Sequence, residues 1–269
     1  MDIVCFNGEY LGAGQGSVPI SDQGVLYGIG IFETIRVSGG SPLVLERHLS
    51  RLFASAGELG LKVPFGAGEI EEMLCLTAKK NGMEQGGLRL TLTGGGMGGP
   101  SMFIQGRPLT YREDQYHNGL SAAFSSIRRN EGSPLVRHKT LNYFENIMAR
   151  GEAVGAGWDE ALFLNNSGSL AEGAVSNIFL VAGGKVKTPH PRCGLLPGIT
   201  RRRVLEECSC MGISVEEKSI HPGELSSAEE SFITNALMGV MPLTRIGNGP
   251  VGSGMPGEIT LALMTRINR

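Results

Sequence analysis

Short β-rich runs closed by glycine turns alternate with one-sided apolar stretches of helical period along the whole chain, which restricts the fold to a mixture of α and β. Ile3 to Phe6 and Glu9 to Leu11 flank Asn7-Gly8, a dipeptide that readily supplies the positive φ angles of a tight hairpin. GIFETIRV alternates with period two, Ser38 to Ser41 turns it, and Pro42 to Leu45 reads as its returning partner. From Arg47 to Leu59 the period changes, because Leu49, Leu52, Phe53, Ala56 and Leu59 recur at three and four and make a one-sided helix. A second helix is expected over Ala67 to Asn81, and LRLTLT and SMFIQG read as two more strands. The 41 glycines gather at turns such as Gly39-Gly40, Gly94 to Gly96 and Gly183-Gly184 without forming a repeat.

A chain of 269 residues can bury two modest cores. The polar stretch Tyr111 to Asn118 has little apolar content and follows the last strand of the first set. It is therefore the expected linker, placed at 114–119, between a smaller α/β domain over 1–113 and a larger domain over 120–269. Beyond it Leu141, Phe144, Ile147 and Met148 form the expected apolar face of a helix. EALFLNN reads as a strand, Asn177 to Val181 as another, RRRVLEECS as a helix after LLPGIT, and SFITNAL as a strand ending in a polar elbow.

A formal charge of −2 gives no basic field to draw the chain to nucleic acid. No apolar run approaches the roughly 20 residues needed to span a bilayer, and MDIVCFNGEY lacks a basic region before an apolar one, so a cytoplasmic protein is expected. Cysteines 5, 75, 193, 208 and 210 and histidines 48, 117, 138, 190 and 221 show no metal-ligand spacing, so no metal is expected.

The segment RHKTLNYFENIMARGEAVGAGWDEALFLNNSGSLAEGAVSNIFLV carries the chemistry. A lysine that attacks an aldehyde needs a deprotonated amine, and Lys139 lies between a strand and an apolar helix with Arg137 and His138 beside it. Glu172, in a small-residue stretch between apolar strands, could keep a pyridine nitrogen protonated, so that the ring accepts an electron pair. An amine and a carboxylate so used suit pyridoxal phosphate. The helix after Pro197-Gly198-Ile199-Thr200 offers backbone N–H groups to a phosphate, Thr234-Asn235-Ala236 could add donors, and Arg51 could add charge. Taken singly, each also reads as an ordinary surface or capping residue.

YGIGIFETIRV, RHLSRL, KTLNY, AEGAVSNIFLV, LLPGITRRRVLE and FITNALMGVMPL occur in the order found in the fold-type IV pyridoxal-phosphate enzymes, and the chain resembles that family over nearly its whole length. This is the class IV aminotransferase family of branched-chain and D-amino acid aminotransferases and aminodeoxychorismate lyase. The resemblance implies an α+β, two-domain, D-amino acid aminotransferase-like fold, pyridoxal 5'-phosphate as cofactor, and a homodimer acting on a small amino substrate. It implies Lys139 as the residue that bonds the cofactor and shuttles the proton, Glu172 as partner of the ring nitrogen, and Arg51, Ile199, Thr200, Asn235 and Ala236 as the phosphate site. Tyr27, Phe32 and Thr34 would lie by the substrate. FET in place of the FEG usual in branched-chain aminotransferases is similar to the lyases and the D-amino acid enzymes, and NALM and KTLN are similar to the lyases. The Arg-x-His carboxylate trap of the D-amino acid enzymes and the RGxGxRGY-like stretch of the lyases are absent from Gly94 to Pro100, and Arg107 is the candidate substitute.

Overall fold

The computed structural model describes residues 2–268, which divide into two compact units. The first runs to Thr110 and takes in His138–Asn142; the second comprises Tyr111–Arg137 and the chain from Tyr143 onward.

In the first unit β1 (Ile3–Phe6), β2 (Glu9–Gly12), β3 (Gly30–Ser38), β4 (Ser41–Pro42), β5 (Gln85–Thr93) and β6 (Met102–Arg107) form an antiparallel sheet in the order β2-β1-β6-β5-β3-β4. A short α1 (Gln23–Tyr27) precedes β3, while α2 (Leu45–Glu58) and α3 (Ala67–Lys80) cover one face. The Asn7-Gly8 hairpin forms as expected, with φ of 47° and 89°. The expected return strand over Pro42 to Leu45 is cut to Ser41–Pro42. Val44 enters the left-handed region at φ 54°, and its carbonyl accepts the Arg47 and His48 N–H groups, which starts α2 at Leu45. Strand alternation sends Ile31, Ile35 and Val37 towards Leu52, Leu74 and Leu90 in the core. The intervening Phe32, Thr34 and Arg36 go to the face without helices.

The segment His138–Asn142 clasps the start of β3. Phe32 N–H donates to Lys139 O at 2.8 Å, Leu141 N–H donates to Gly30 O at 2.9 Å, and Ile31 bridges Thr140 between them. Only glycine fits at position 30, because a Cβ there would lie 2.6 Å from both Leu141 Cδ1 and Leu92 O.

In the second unit the order is β12-β11-β10-β13-β14-β7-β8-β9, with β15 on β14. Its elements are α4 (Glu113–Asn118), β7 (Leu120–Arg129), α5 (Phe144–Gly155), β8 (Glu160–Asn165), β9 (Leu170–Gly173), β10 (Asn177–Ala182), β11 (Lys185–Pro189), α6 (Ile199–Cys210), β12 (Val215–Lys218), β13 (Glu230–Asn235), β14 (Gly239–Ile246), β15 (Gly249–Pro250) and α7 (Glu258–Ile267). The pairs β11/β12, β7/β14 and β7/β8 are parallel and the others antiparallel. Helices α6 and α7 pack on Phe179, Val186 and Phe232.

Three expectations are corrected here. The stretch expected as a linker at 114–119 is helix α4: Glu113 and Asp114 favour its N-terminal turn, and Tyr116 packs on the second unit's core with its hydroxyl donating to Met238 O at 3.0 Å. The lysine segment, expected in the larger domain, clusters with the first unit because backbone hydrogen bonds hold it to β3. Nor is the apolar face of α5 the buried one. Phe144 is 76% exposed, Ile147 and Met148 are exposed too, and α5 instead buries Asn146, Ala149 and Ala153. Small side chains let it lie close over Ala161, Phe163 and Ala174. Among the described residues, no helix is long and apolar enough to cross a membrane.

Replacing Gly30 by valine forces a side chain into Leu141 and the Leu92 carbonyl. Overpacking of this kind costs about 1–3 kcal/mol. Denaturant unfolding should show the loss, and hydrogen exchange at the Leu141 amide should speed up; full protection there would count against the clasp.

Candidate active site

The residues singled out from sequence divide between the units. Lys139, Arg51, Tyr27, Phe32, Thr34 and Arg107 belong to the first, and Glu172, Ile199, Thr200, Asn235 and Ala236 to the second.

In the first unit, alternation along β3 puts Glu33 on the helix side, where α2 presents His48 and Arg51. Arg51 Nε and Nη2 donate to the two carboxylate oxygens at 2.7 Å each, and His48 Nδ1 donates to Oε2 at 2.7 Å. Glu33 is 1% exposed. Burial works to raise its pKa, but the Arg51 charge and the hydrogen bonds from His48 and Arg51 outweigh it and hold the carboxyl at about 2, against an ordinary 4.5. The guanidinium expected at a phosphate is thus oriented by a buried bidentate pair.

The opposite face of the sheet carries Phe32 and Thr34. Lys139 Nζ lies 4.4 Å from the Phe32 ring centroid, and the Arg89 guanidinium 3.6 Å from it. Arg89, which sequence reasoning missed, is the register partner of Thr34. Its signal was the period of LRLTLT, which puts position 89 out of phase with the core leucines. Arg107, the sequence candidate, is exposed and sits in the row of Gly87 and Arg36, displaced from Phe32 and Thr34. Tyr27, the last residue of α1, is exposed.

The second unit gathers its five candidates at one end of its sheet. Glu172 is buried on β9; its Oε1 accepts from Arg129 Nε at 3.2 Å, and its Oε2 from the Leu196 amide at 3.0 Å. That second bond fixes the loop leading into α6. Asn177 on β10 holds the same loop, donating from Nδ2 to Leu196 O at 2.9 Å, and stands opposite Thr234 on β13. A Cβ at Gly198 would run into Asn177 Oδ1, so glycine alone lets the loop lie this close. Helix α6 then begins at Ile199. Gly198 O accepts the Arg202 amide, so the Ile199 and Thr200 amides precede the helical ladder at its positive end. Next to it, Asn235 Oδ1 accepts the Leu237 and Met238 amides at 2.9 Å each, and its Nδ2 donates to the Tyr111 hydroxyl and Val175 O. Thr234 is 1% exposed, and its hydroxyl has no hydrogen-bond partner among the described residues, an arrangement that costs free energy unless a ligand supplies one. Helix-end amides, a buried unsatisfied hydroxyl and a buried carboxylate fit a molecule bearing a phosphate and a protonatable ring nitrogen.

The family model described as amino-transferase class IV matches residues 30–246. The chain is 32% identical to a D-alanine aminotransferase of Bacillus licheniformis, over 98% of this chain and 95% of that protein. It is 31% identical to an aminodeoxychorismate lyase of Bacillus subtilis, over 97% of this chain and 92% of that one. The structure of a branched-chain amino acid aminotransferase from T.th. with pyridoxamine 5'-phosphate superposes with a TM-score of 0.91 at 26% identity, covering 98% of this chain and 92% of that chain.

The Glu33 pair has a defined pH signature. Because the folded pKa is lowered, its stabilisation is present above about 4.5 and is lost as pH falls towards about 2. Glu33→Gln should cost roughly 3 kcal/mol at neutral pH, since each tenfold change in proton affinity is worth about 1.4 kcal/mol, and should flatten the loss of stability between pH 4.5 and 2. An unchanged acid limb in urea titrations would remove the pair from this role.

Proposed function

The chain belongs to the amino-transferase class IV family, a pyridoxal phosphate-dependent enzyme family, and from that premise we propose that it is a 4-amino-4-deoxychorismate lyase, releasing pyruvate to leave 4-aminobenzoate. Bound pyridoxal phosphate supplies a ring that takes up the electron pair left when a proton departs from the carbon bearing the amine. Lys139 would hold its aldehyde and, once free, take up that proton at Nζ. Glu172 would meet the ring nitrogen, the Ile199 and Thr200 amides, Thr234 and the Asn235-Ala236 elbow would receive the phosphate, and Arg51 would add charge to it.

The observation that carries the lyase reading is Thr34 directly opposite Arg89 in the β3/β5 register, on the sheet face that also bears Phe32. Elimination breaks the bond from the ring carbon to the enolpyruvyl oxygen, which becomes the carbonyl of pyruvate as the methylene carbon takes a proton, a requirement that transamination lacks, and Thr34 supplies a hydroxyl for it where branched-chain aminotransferases usually have glycine. Arg89 supplies the carboxylate contact in place of Arg107. A transaminase is the second reading, favoured by the identity to the D-alanine enzyme.

A homodimer would cover apolar side chains left exposed in each unit: Ile20, Val25, Leu26 and Tyr27 in the first, Phe144 and Ile147 in the second.

Purified enzyme given aminodeoxychorismate without a keto acid should form pyruvate and 4-aminobenzoate over many turnovers. Thr34→Gly should slow this by about 100-fold or more, as for loss of a proton donor, with cofactor absorbance kept. No turnover, alongside amino transfer from D-alanine to 2-oxoglutarate, would establish the second reading instead. Light scattering should give twice 28.5 kDa, falling to one chain in Phe144→Glu with Ile147→Glu; a monomeric wild type would exclude the dimer.

A further inference from the structure

Glu172 is held by a cation that no sequence motif marked. Arg129 ends β7 and is 8% exposed. Leu120 and Ala122 are the buried residues in the first half of that strand, whereas Arg129 is buried at its end. It belongs to the odd-numbered face of β7, on which Ile127 packs against the cluster of Ala161 and Phe163.

The guanidinium is fixed on three sides. Its Nε and Nη2 lie 3.2 and 3.1 Å from Glu172 Oε1, it stacks 4.2 Å from the ring centroid of Phe163, and Nη1 lies 3.7 Å from Glu145 Oε2 on α5. Phe163 is the cross-strand partner of Glu172, so ring and carboxylate share one row of the sheet, and Arg129, opposite Asn165, reaches them from a neighbouring one. The Leu196 amide occupies the other carboxylate oxygen.

We propose that Arg129 is a positioning residue for the cofactor's ring nitrogen, acting through Glu172; this rests on reading Glu172 as that nitrogen's partner. A cation on one oxygen keeps a buried carboxylate ionised and makes it a weaker base. A weaker base leaves the shared proton on the ring nitrogen, where it strengthens the ring as an electron acceptor. The fork also fixes the carboxylate's rotation, which a lysine cannot do in the same way. Arg129 therefore sets how strongly the ring draws charge without touching substrate.

Arg129→Gln and Arg129→Lys, Glu172→Gln and the double Arg129→Gln/Glu172→Gln can be stripped of cofactor and titrated with pyridoxal phosphate, following affinity and the visible band. Arg129→Gln should weaken binding about tenfold or more, the size of a lost hydrogen bond to a charged group, and shift the band. Arg129→Lys should recover part of both. The double variant should be no worse than Glu172→Gln alone, because the two act as one unit. With a cofactor analogue carrying CH in place of the ring nitrogen, wild type and Arg129→Gln should behave alike. A wild-type band and affinity in Arg129→Gln while Glu172→Gln is altered would overturn the proposal and leave Glu172 in its role. An unaltered Glu172→Gln would overturn the reading of Glu172 itself. Additive losses in the double variant, a defect that persists with the analogue, or Arg129 variants that do not fold while the others do would make Arg129 merely structural and end the proposal.

Discussion

Two backbone hydrogen bonds, from Phe32 N–H to Lys139 O and from Leu141 N–H to Gly30 O, fix where the Lys139 backbone can be. They join residues more than a hundred positions apart, so closing that loop has an entropic cost which the surrounding sheet must offset. The bonds use main-chain atoms and fix the backbone at residue 139, from which Nζ reaches to 4.4 Å from the Phe32 ring centroid. Gly30 makes the close approach sterically possible, and Leu141 seals it.

Each unit also buries a carboxylate against an arginine, and each handles it alike. Glu33 is met by Arg51 and His48, Glu172 by Arg129 and the Leu196 amide. Burial of a carboxylate is costly unless its oxygens find donors, and the surviving arrangement is consequently specific in direction. In the first unit this directs a guanidinium. In the second it couples a strand to the loop that starts α6, so that the carboxylate and the helix-end amides are set by one network.

Much of this was legible because it was periodic. The alternation in GIFETIRV and the three-four spacing in α2 mark elements whose one face is buried, and LLPGIT before an apolar helix marks an anion-receptive turn. The rest depended on contacts that periodicity does not encode. Phe144, Ile147 and Met148 repeat as a buried face does, but α5 packs through Ala149 and Ala153, and a stripe of alanines gives a weak signal. Tyr111 and Tyr116 stand among polar residues, and only their partners, Asn235 and Met238 O, show that they anchor a helix. Arg129 follows another arginine, and nothing in Arg128-Arg129 says which one turns inward.

That last ambiguity has a genetic counterpart. Between Phe124 and Arg128 four steps of β7 stand against two of β8, an excess of two residues that leaves the alternation in phase. Loss of both extra residues would give regular pairing and leave Arg129 facing Glu172. Loss of one would exchange Arg128 and Arg129, turning a guanidinium from a carboxylate to solvent without any change in the residues themselves.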